Sequence, residues 1–373
     1  MEFKVIEPIG IARDLEYIQL EWETDIEPQE NTSFYIASKE KKISGQILSI
    51  NPTSNGNFKI KALFPVQINA NETMSYSLLE GSAHYGDTLT VSGAEYDLVI
   101  YNKYFTADLR ANRKNPSEPL SAGQVSTIAP TNVDGILFKR NNINIHWSPN
   151  FQRLDSPYRT LSHLNNGIAH KKVGPYLVQI EKEGFVDGYP ELQINSSYTF
   201  FAGLPFFIFS SEVLAKEDVR LSLLRNDEMT MDSLFTHVFH NSNGKAKALP
   251  LYEEATFSLL EENPIPDDVS WLAFTNQDKE YLMGCIRLDY DNNNLDGKPS
   301  PLYKPHTKIT AAANNGRYWN RRLIHDHDTL VPNGSKYFEK NAYFTGFSPD
   351  SLESTVSKLR RELKNPLKVV IDR

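Results

Sequence analysis

The chain has 373 residues and a formal net charge of -8, with a sequence pI of about 5.7. This length exceeds that of an ordinary single domain and predicts two domains, or one large β-sandwich with an appendage. No cluster of Lys and Arg suits a nucleic-acid backbone, and the single cysteine, Cys285, excludes an internal disulfide and a multi-thiolate metal site.

The first part of the chain alternates apolar and polar residues with the period of a β-strand. Turn signals such as Asn51-Pro52 and Asn55-Gly56 separate these segments. We therefore predict an all-β module over residues 1–106, in which the run from Phe58 to Pro65 is an edge strand ended by its proline. The predicted strands are Glu16–Trp22, Ser33–Ala37, Asn57–Leu63 and Tyr96–Tyr101.

Residues 107–124 form a polar stretch with two prolines and almost no large apolar side chains, which predicts a linker. A second, larger β-rich region follows over residues 125–347. Its predicted strands are Gly135–Phe138, Ile143–Trp147, Tyr176–Lys182, Glu191–Phe201, Phe206–Ser210, Trp271–Phe274 and Tyr281–Asp289.

The aromatic run from Tyr198 to Phe209 is the predicted core of the larger region. So many large apolar side chains in succession are stable only when buried between layers. Pro205 excludes a helix through the run, and its aromatic and β-branched residues favour extended chain.

The last residues, 348–373, predict a helix and a tail. Ser348, Pro349 and Asp350 have the character of an N-cap, a first-turn proline and an acid that suits the helix dipole. Asn365-Pro366 ends the helix. The apolar residues at helical spacing are Leu352, Val356, Leu359 and Leu363.

These segments together predict an all-β fold: a small N-terminal β-sandwich module, then a large antiparallel β-supersandwich, with a C-terminal helix. No window is apolar enough to cross a membrane and no signal peptide is apparent, so we expect no membrane partner. The sequence as given predicts a cytoplasmic protein, or an extracellular or periplasmic one if a signal peptide has been removed. The oligomeric state stays open.

Familiar catalytic motifs are missing from the sequence. It contains no phosphate-binding P-loop, no GxGxxG, no HExxH, no paired CxxC and no GxSxG. These absences argue against nucleotide hydrolysis and zinc-dependent proteolysis.

A first polar cluster follows the aromatic run, between Arg225 and His240. Asn226, Asp227 and Glu228 stand next to Arg225, at the end of a strand that we expect to be buried. Polar groups in such a place build a site, or else they are turn residues.

A second polar cluster runs from Arg317 to Lys340. In an extended chain His325 and His327 would share one face with Arg321, while Arg322 would lie on the other face. Two histidines at this spacing suit a metal ion, a groove, or a solvated strand end.

A third cluster begins at His146 and Trp147 and continues with cationic residues up to Lys172. A tryptophan beside cationic and imidazole groups suits an open sugar cleft, because the apolar face of a pyranose stacks on aromatic rings. The plain alternative is that Trp147 belongs to the core.

The segment Asp289–Gly297 resembles a calcium loop in its oxygen-bearing residues. Asn294 stands where an EF-hand needs glycine, however, and Ser300 where it needs glutamate. We therefore predict an ordinary hairpin loop and no bound metal or cofactor, with a Ca²⁺ ion as the alternative.

Three stretches resemble a known family: Phe64–Asn71, Val173–Glu181 and Tyr198–Phe206. Together they resemble the exo-acting rhamnogalacturonan lyases and related polysaccharide lyases. That resemblance implies a small β module before a mutarotase-like β-supersandwich, and an oligosaccharide as the binding partner. The chain is short for such lyases.

Eliminative cleavage of a uronate sets clear chemical requirements. The carboxylate must be neutralised, a base must take the C5 proton, and an acid must protonate the leaving oxygen. We predict His240 or His146 as the base, Tyr318 or Tyr337 as the acid, and Arg321 or Arg322 on the carboxylate. The other predicted substrate-binding residues are Trp147, Arg225 and Lys340.

Two other classes of function are open at this point. A glycoside hydrolase would need two carboxylates on opposite sides of the scissile bond. A noncatalytic carbohydrate-binding protein would use the same aromatic residues without a working acid and base. The carboxylates available to a hydrolase are Asp227, Glu228, Asp326 and Asp328.

Overall fold

The computed structural model describes residues 1–29, 32–111, 122–140, 143–232, 234–242, 245–310 and 317–371. The middle of the predicted linker, residues 112–121, lies outside the described residues. Strands dominate the described chain, and most pair in antiparallel sheets. The predicted all-β fold class is confirmed.

The strands up to residue 108 range in length from 3 to 12 residues. They are β1 (Glu2–Ile6), β2 (Arg13–Thr24), β3 (Phe34–Ala37), β4 (Lys42–Ser44), β5 (Gln46–Pro52), β6 (Phe58–Ile68), β7 (Thr73–Glu80), β8 (Thr90–Ala94), β9 (Asp97–Tyr101) and β10 (Phe105–Asp108).

The rest of the chain adds longer strands and two α-helices. They are β11 (Thr127–Pro130), β12 (Asn150–Gln152), β13 (Arg159–Thr160), β14 (Leu164–Val173), β15 (Leu177–Val186), β16 (Tyr189–Phe201), β17 (Phe206–Ala215), β18 (Val219–Met231), β19 (His237–Ser242), β20 (Lys245–Pro250), α1 (Glu254–Glu262), β21 (Trp271–Asn276), β22 (Tyr281–Asp291), β23 (His306–Thr310), β24 (Arg317–Val331), β25 (Lys336–Phe344), α2 (Leu352–Lys364) and β26 (Lys368–Ile371).

Five sheets organise these strands. Sheet 1 has the order β26-β1-β7-β3-β4, sheet 2 β2-β6-β5, and sheet 3 β11-β10-β9-β8. Sheet 4 has the order β13-β12-β18-β24-β23. Sheet 5 is the largest and runs β14-β15-β16-β17-β25-β22-β21-β19-β20.

Sheets 1 and 2 enclose a core of their own. Phe3 and Val5 of β1 pack with Ile18 of β2 and Phe64 of β6 in this core. The last strand, β26, pairs antiparallel with the first, β1, from Phe3 opposite Ile371 to Ile6 opposite Lys368. The two ends of the chain therefore complete one sheet.

The edge strand predicted to end at Pro65 is instead the central strand of sheet 2. β6 pairs with both β2 and β5 and continues to Ile68. The pairing with β5 reaches only Leu63, so at Pro65 the strand has a neighbour on one side alone. The missing N–H of the proline is tolerated there because the sheet is locally an edge.

Sheets 4 and 5 face each other across the main core. Tyr198 pairs with Phe209 and Phe200 with Phe207 along the β16–β17 hairpin, and all four are buried. Alternate residues point to the same side of a strand, so this hairpin directs its aromatic rings inward. The aromatic run predicted to form the core does so.

Two of the predicted strands are only isolated bridges. Phe138 bridges Ile128, and His146 bridges Met229. Residues 141–142, which precede the second segment, lie outside the described residues. Apolar and polar residues alternate in both segments, but neither segment pairs with a neighbouring strand over enough residues to form a β-ladder.

The predicted terminal helix is confirmed. Ser348 Oγ accepts a hydrogen bond from the Asp350 N–H at 3.3 Å, a short 3₁₀ turn follows, and α2 continues to Lys364. Its apolar stripe, Leu352, Val356 and Leu359, is buried against the outer face of sheet 5. In the described residues, neither helix is long and apolar enough to span a bilayer.

Candidate functional site

A β-bulge in β18 separates two polar environments. The pairing of β18 with β24 shifts between Asn226 and Met229, and Asp227 has a φ of 46°. A left-handed backbone is unusual for a residue other than glycine and is maintained by its surroundings. The bulge turns Asp227 inward, between sheets 4 and 5, and leaves Glu228 beside Arg225 on the outer face of sheet 4.

The inward Asp227 is fully buried and fully hydrogen-bonded. Its Oδ2 accepts from Arg287 Nε at 2.7 Å, and its Oδ1 accepts from Trp319 Nε1 and from the Tyr343 hydroxyl, each at 3.1 Å. These partners satisfy the carboxylate of the buried ion pair, whereas Arg287 Nη2 has no hydrogen-bond partner in the described residues. The Asp227 carboxylate is thus fully used in interior hydrogen bonds.

Glu339 is a second buried carboxylate in the same network. It accepts from the Asp227 N–H at 2.8 Å, from Ser211 Oγ at 2.8 Å and from Asn341 Nδ2 at 2.7 Å. Burial, together with the nearby Asp227 charge, raises the pKa of Glu339 to about 7. Two carboxylates this close resist being ionised together.

His146 belongs to this interior network. Its Nδ1 lies 2.6 Å from the Tyr198 hydroxyl and its Nε2 lies 3.2 Å from the Tyr343 hydroxyl. Burial lowers its pKa to about 3. The imidazole is therefore neutral near neutral pH and lies between aromatic side chains of the core.

Arg321 also points inward. Its Nη2 donates to Asp267 Oδ2 at 2.7 Å, and its guanidinium lies 4.2 Å from the centre of the Tyr290 ring. These contacts leave the side chain only 4% exposed. Its neighbour Arg322, one residue later, lies on the opposite face.

The outer face of sheet 4 carries what we call the arginine cluster: Arg225, Glu228, His306, Arg322 and His325. Arg225 pairs with Arg322 across β18 and β24, and Arg322 pairs with His306 across β24 and β23. Like charges directly opposite each other on neighbouring strands destabilise a sheet. Such an arrangement is typical of a place where an anion binds.

Arg322 is held in place by neutral partners. Its Nε donates to Asn320 Oδ1 at 3.1 Å, and its Nη1 lies 2.6 Å from His325 Nε2. Burial, and then the Arg225 charge, lowers the pKa of Arg322. Burial and the nearby Arg322 lower the pKa of His325 to about 4, so this imidazole is neutral at pH 7.

Glu228 is the one carboxylate among the five residues of the arginine cluster. Asn150 Nδ2 donates to its Oε2 at 2.8 Å. Burial raises the pKa of Glu228, while the charges of Arg225 and Arg322 oppose that rise. Among the five residues, two guanidinium groups thus face one carboxylate, and a second carboxylate, that of Asp326, lies at the exposed edge with its Oδ2 3.2 Å from His325 Nε2.

Unpartnered polar atoms surround the cluster. A buried donor or acceptor without a partner is costly unless a ligand or water completes it. Within the described residues, four such atoms lie on the residues of the cluster or next to them: Arg225 Nε, Asn150 Oδ1, Asn320 Nδ2 and Trp147 Nε1.

Aromatic side chains border the cluster. The backbone N–H of Trp147 lies 3.5 Å from the backbone carbonyl oxygen of Glu228. The centre of the Trp147 ring lies 5.8 Å from that of Tyr158. Tyr318 is close enough to Arg322 to act on its pKa. All three rings are partly exposed, so they offer apolar faces next to the charges.

The remaining predicted residues lie on sheet 5. His240 is 4% exposed, and burial together with Lys247 lowers its pKa to about 4. Tyr337 donates its hydroxyl to the Pro301 carbonyl at 2.7 Å, and Lys340 is exposed on the outer face. The structure therefore brings Arg225, Arg322, Trp147 and Tyr318 together and places His146, His240, Arg321, Tyr337 and Lys340 elsewhere.

Strand alternation predicted that His325 lies on the same face as Arg321, and this prediction is wrong. Regular alternation separates Arg322 from His325, yet the two side chains are hydrogen-bonded. Asp326 has a φ of 50°, and the ladder shifts between Leu221 and Leu223. This irregularity turns the strand. His327 stacks on Tyr303 with ring centres 3.8 Å apart, away from a shared ligand position with His325.

The loop after β22 forms several hydrogen bonds within itself, although Asn292 Oδ1 is buried without a partner in the described residues. Asp291 Oδ1 accepts from the Asn293 N–H at 2.9 Å, and Asn294 Oδ1 accepts from the Lys298 N–H at 2.8 Å. Lys336 forms an ion pair with Asp291 at 2.7 Å. Across the described chain, no group of three or more His, Cys, Asp or Glu side chains is arranged to hold a metal ion.

Sequence reasoning missed His306, Asn150, Asn320 and Tyr158. His306 and Asn150 reach the cluster only through pairing between strands that are distant in the chain, β23 with β24 and β12 with β18. Asn320 lies two residues before Arg322 on β24, and the Tyr158 ring packs on Trp147. The one local signal was the alternation of Tyr318, Asn320 and Arg322, which places all three on the same face.

Comparison with solved structures supports the fold. The chain aligns over its whole length with a protein in glycosyl hydrolase family 38 from Enterococcus faecalis, with 10% identity and a TM-score of 0.59, covering 47% of that chain. An alpha-mannosidase from Enterococcus faecalis V583 gives the same identity and TM-score, covering 46% of its chain. The present chain thus spans about half the length of these structures.

Comparison of the sequence finds no match: no model of a protein family fits it, and no curated protein resembles it. At 10% identity the structural similarity establishes a shared fold and nothing about the reaction. Neither structure is described as a lyase. The resemblance to rhamnogalacturonan lyases therefore stays a prediction.

Proposed function

We propose that this protein is a carbohydrate-active protein that binds an acidic oligosaccharide at the arginine cluster. The pairing of Arg225 with Arg322 on neighbouring strands carries the proposal. Two guanidinium groups suit the carboxylate of a uronate, because each presents donors in a planar fork. Trp147, Tyr158 and Tyr318 supply rings against which sugar rings can stack.

The named neighbours agree with this class of ligand. Both share the fold over the whole length of the present chain and are described as a family 38 glycosyl hydrolase and an alpha-mannosidase. Their fold supports a carbohydrate as the ligand by analogy. The choice of an acidic sugar comes from the guanidinium groups of Arg225 and Arg322, which lie on paired residues of neighbouring strands.

Hydrolysis is the reaction that the fold analogy favours. It needs an acid and a second carboxylate, and Glu228, with its raised pKa, suits the role of acid. Of the other three predicted carboxylates, Asp227 is buried on the inner face and Asp328 pairs with Arg220 at 2.7 Å. Asp326, whose Oδ2 lies 3.2 Å from His325 Nε2, is the one of these that remains available as the second carboxylate.

Elimination is the second reaction, and the cluster itself favours it. The arginines would neutralise the uronate carboxylate, and His306 or His325, with lowered pKa values, would be neutral bases at pH 7. Tyr318 would be the acid. This assignment keeps the predicted roles of Arg322 and Tyr318 and moves the base from His240 or His146 to the outer face of sheet 4.

The test of ligand class compares a uronate oligosaccharide with its carboxyl-reduced form by isothermal titration calorimetry. The two ligands differ only in the negative charge. We expect the acidic form to bind at least tenfold more tightly, because charge-assisted hydrogen bonds are worth roughly 1.5–3 kcal/mol. Equal affinities for the two forms would contradict a role of the arginines in recognising the carboxylate.

The products identify the reaction. A rise in ultraviolet absorbance on incubation with the acidic oligosaccharide reports the conjugated double bond left by elimination. New reducing ends without that rise report hydrolysis. Binding of the oligosaccharide without either product would indicate a noncatalytic carbohydrate-binding protein.

A further inference from the structure

The outer face of sheet 5 is covered over one half only. Helix α2 packs Leu352 and Val356 against Ile286 and Ala342 of this face. On the other half, the middle strands β16 and β17 present the short polar residues Asn195, Ser197 and Ser210 together with the longer Glu212. Long side chains stand on the strands to either side, so the sheet surface forms a trough.

The trough is a groove of about 420 Å³, within the range of small-ligand sites, roughly 300–1,000 Å³. Strand register places its residues in two rows. Glu181, Ser197 and Ser210 form one row. Glu183, Asn195, Glu212 and Phe338 form the other.

The lining of the groove is rich in hydrogen-bond acceptors. Glu181, Glu183 and Glu212 bring three carboxylates, and Asn195 Oδ1 is buried with no hydrogen-bond partner among the described residues. The only lysine among the lining residues, Lys182, donates to the Ala122 carbonyl. Glu183 already accepts from Gln193 Nε2 at 2.6 Å, and His170 lines the groove opposite Glu181. The unpartnered Asn195 Oδ1 and the excess of carboxylates over cations in the lining still call for a ligand that brings donors.

The groove also has an apolar side. Phe338 and Ile168 are among its lining residues, and Ile168 is 61% exposed. An apolar surface next to a floor of hydroxyl and amide groups suits a sugar ring, which has C–H faces and a rim of hydroxyls. Carboxylates around it favour a sugar that carries ammonium groups.

We infer that this groove is a second saccharide site, specific for an oligosaccharide of amino sugars with free ammonium groups. Its charge is opposite to that of the arginine cluster, which lies on the outer face of a different sheet. Each site would therefore repel the ligand of the other. The inference does not depend on the proposed function, since it uses none of the same residues.

The experiment is calorimetric titration with a glucosamine oligosaccharide and with its N-acetylated form of the same length. The wild-type protein should bind the amino form at least tenfold more tightly. Asn195→Leu, which removes the unpartnered acceptor, and Glu212→Gln, which removes one carboxylate, should each weaken that binding at least fivefold. The matched control is Glu217→Gln, in the exposed turn after β17, which should bind as the wild type does.

Three results would overturn the inference: no binding of the amino form at millimolar concentration, equal binding of the two forms, or unchanged binding by both groove variants. Circular dichroism of the variants shows whether they are folded. A parallel titration with the uronate oligosaccharide separates the two sites. It should be unaffected by Glu212→Gln, whatever the outcome for the arginine cluster, and a joint loss of both ligands would contradict separate sites.

Discussion

At the scale of single residues, Glu339 has the most consequential environment. It is completely buried, and its pKa is raised from 4.5 to about 7 by burial and by Asp227. The folded protein therefore holds this proton more tightly than the unfolded chain does. Stability must then fall as the pH rises from about 4.5 to about 7.

We predict that Glu339→Gln removes this part of the pH dependence. Glutamine copies the protonated form, so the variant should gain stability relative to the wild type as the pH rises from 5 to 8, by up to about 3 kcal/mol. Urea unfolding at several pH values measures this gain. The control is the exposed Glu217→Gln, and a pH-independent difference between Glu339→Gln and wild type would show that Glu339 is ionised throughout.

At the scale of elements, β22 depends on having no side chain at Gly284. This residue pairs with Phe344 of β25 and with Ala273 of β21. A Cβ built there would lie 2.2 Å from Phe344 Cζ and 2.8 Å from Ala273 Cβ. The close approach lets Phe344 cover the middle of sheet 5 beneath α2.

Gly284→Ala should destabilise the protein by roughly 1–3 kcal/mol, because the added methyl group overpacks a filled core. Thermal unfolding followed by circular dichroism measures the change. Gly86→Ala is the matched control, since its Cβ would meet nothing within 4 Å. Equal stability of the two variants would mean that the Phe344 ring moves aside freely.

At the scale of the whole molecule, Gln46 of β5 joins sheet 2 to β15 of sheet 5. Its Oε1 accepts from the N–H groups of Tyr176 and Leu177 at 2.9 Å and 2.7 Å, and its Nε2 donates to the Leu177 carbonyl at 3.1 Å. Tyr17 adds a bond from its hydroxyl to the Ala202 carbonyl at 2.9 Å. The Gln46 bonds satisfy backbone groups at the start of β15.

Gln46→Ala should cost roughly 2–5 kcal/mol, because it leaves buried backbone groups of the sandwich without partners. Differential scanning calorimetry should show a lower melting temperature for the variant than for the wild type. Gln67→Ala, at an exposed position of β6, should leave the melting curve unchanged. A single unshifted transition in Gln46→Ala would contradict this role.

The fold class and the last helix could be predicted because their signals are local. Alternation along β16 and the cap at Ser348 need no knowledge of distant residues. The site could be predicted only in part. Arg225 and Arg322 were recognised as cationic residues near other polar groups, and alternation correctly placed Arg321 and Arg322 on opposite faces. The faces of Glu228 and His325, in contrast, depend on irregularities at Asp227 and Asp326 that alternation does not reveal.

Residues that reach the cluster from far along the chain were beyond a single sequence. His306 joins Arg322 only through the register of β23 with β24, and Asn150 joins Arg225 through β12 with β18. Such pairings are set by the packing of sheet 4 against sheet 5. No spacing within the sequence encodes them.

The most direct test of the account is the affinity of a uronate oligosaccharide for two matched variants, measured by calorimetry at one salt concentration. Arg322→Gln removes a charge from the arginine cluster, whereas Arg220→Gln removes one from the exposed Arg220–Asp328 pair. We predict at least a tenfold loss of affinity for Arg322→Gln and less than a twofold change for Arg220→Gln. Equal affinities of the two folded variants would contradict the arginine cluster as the binding site.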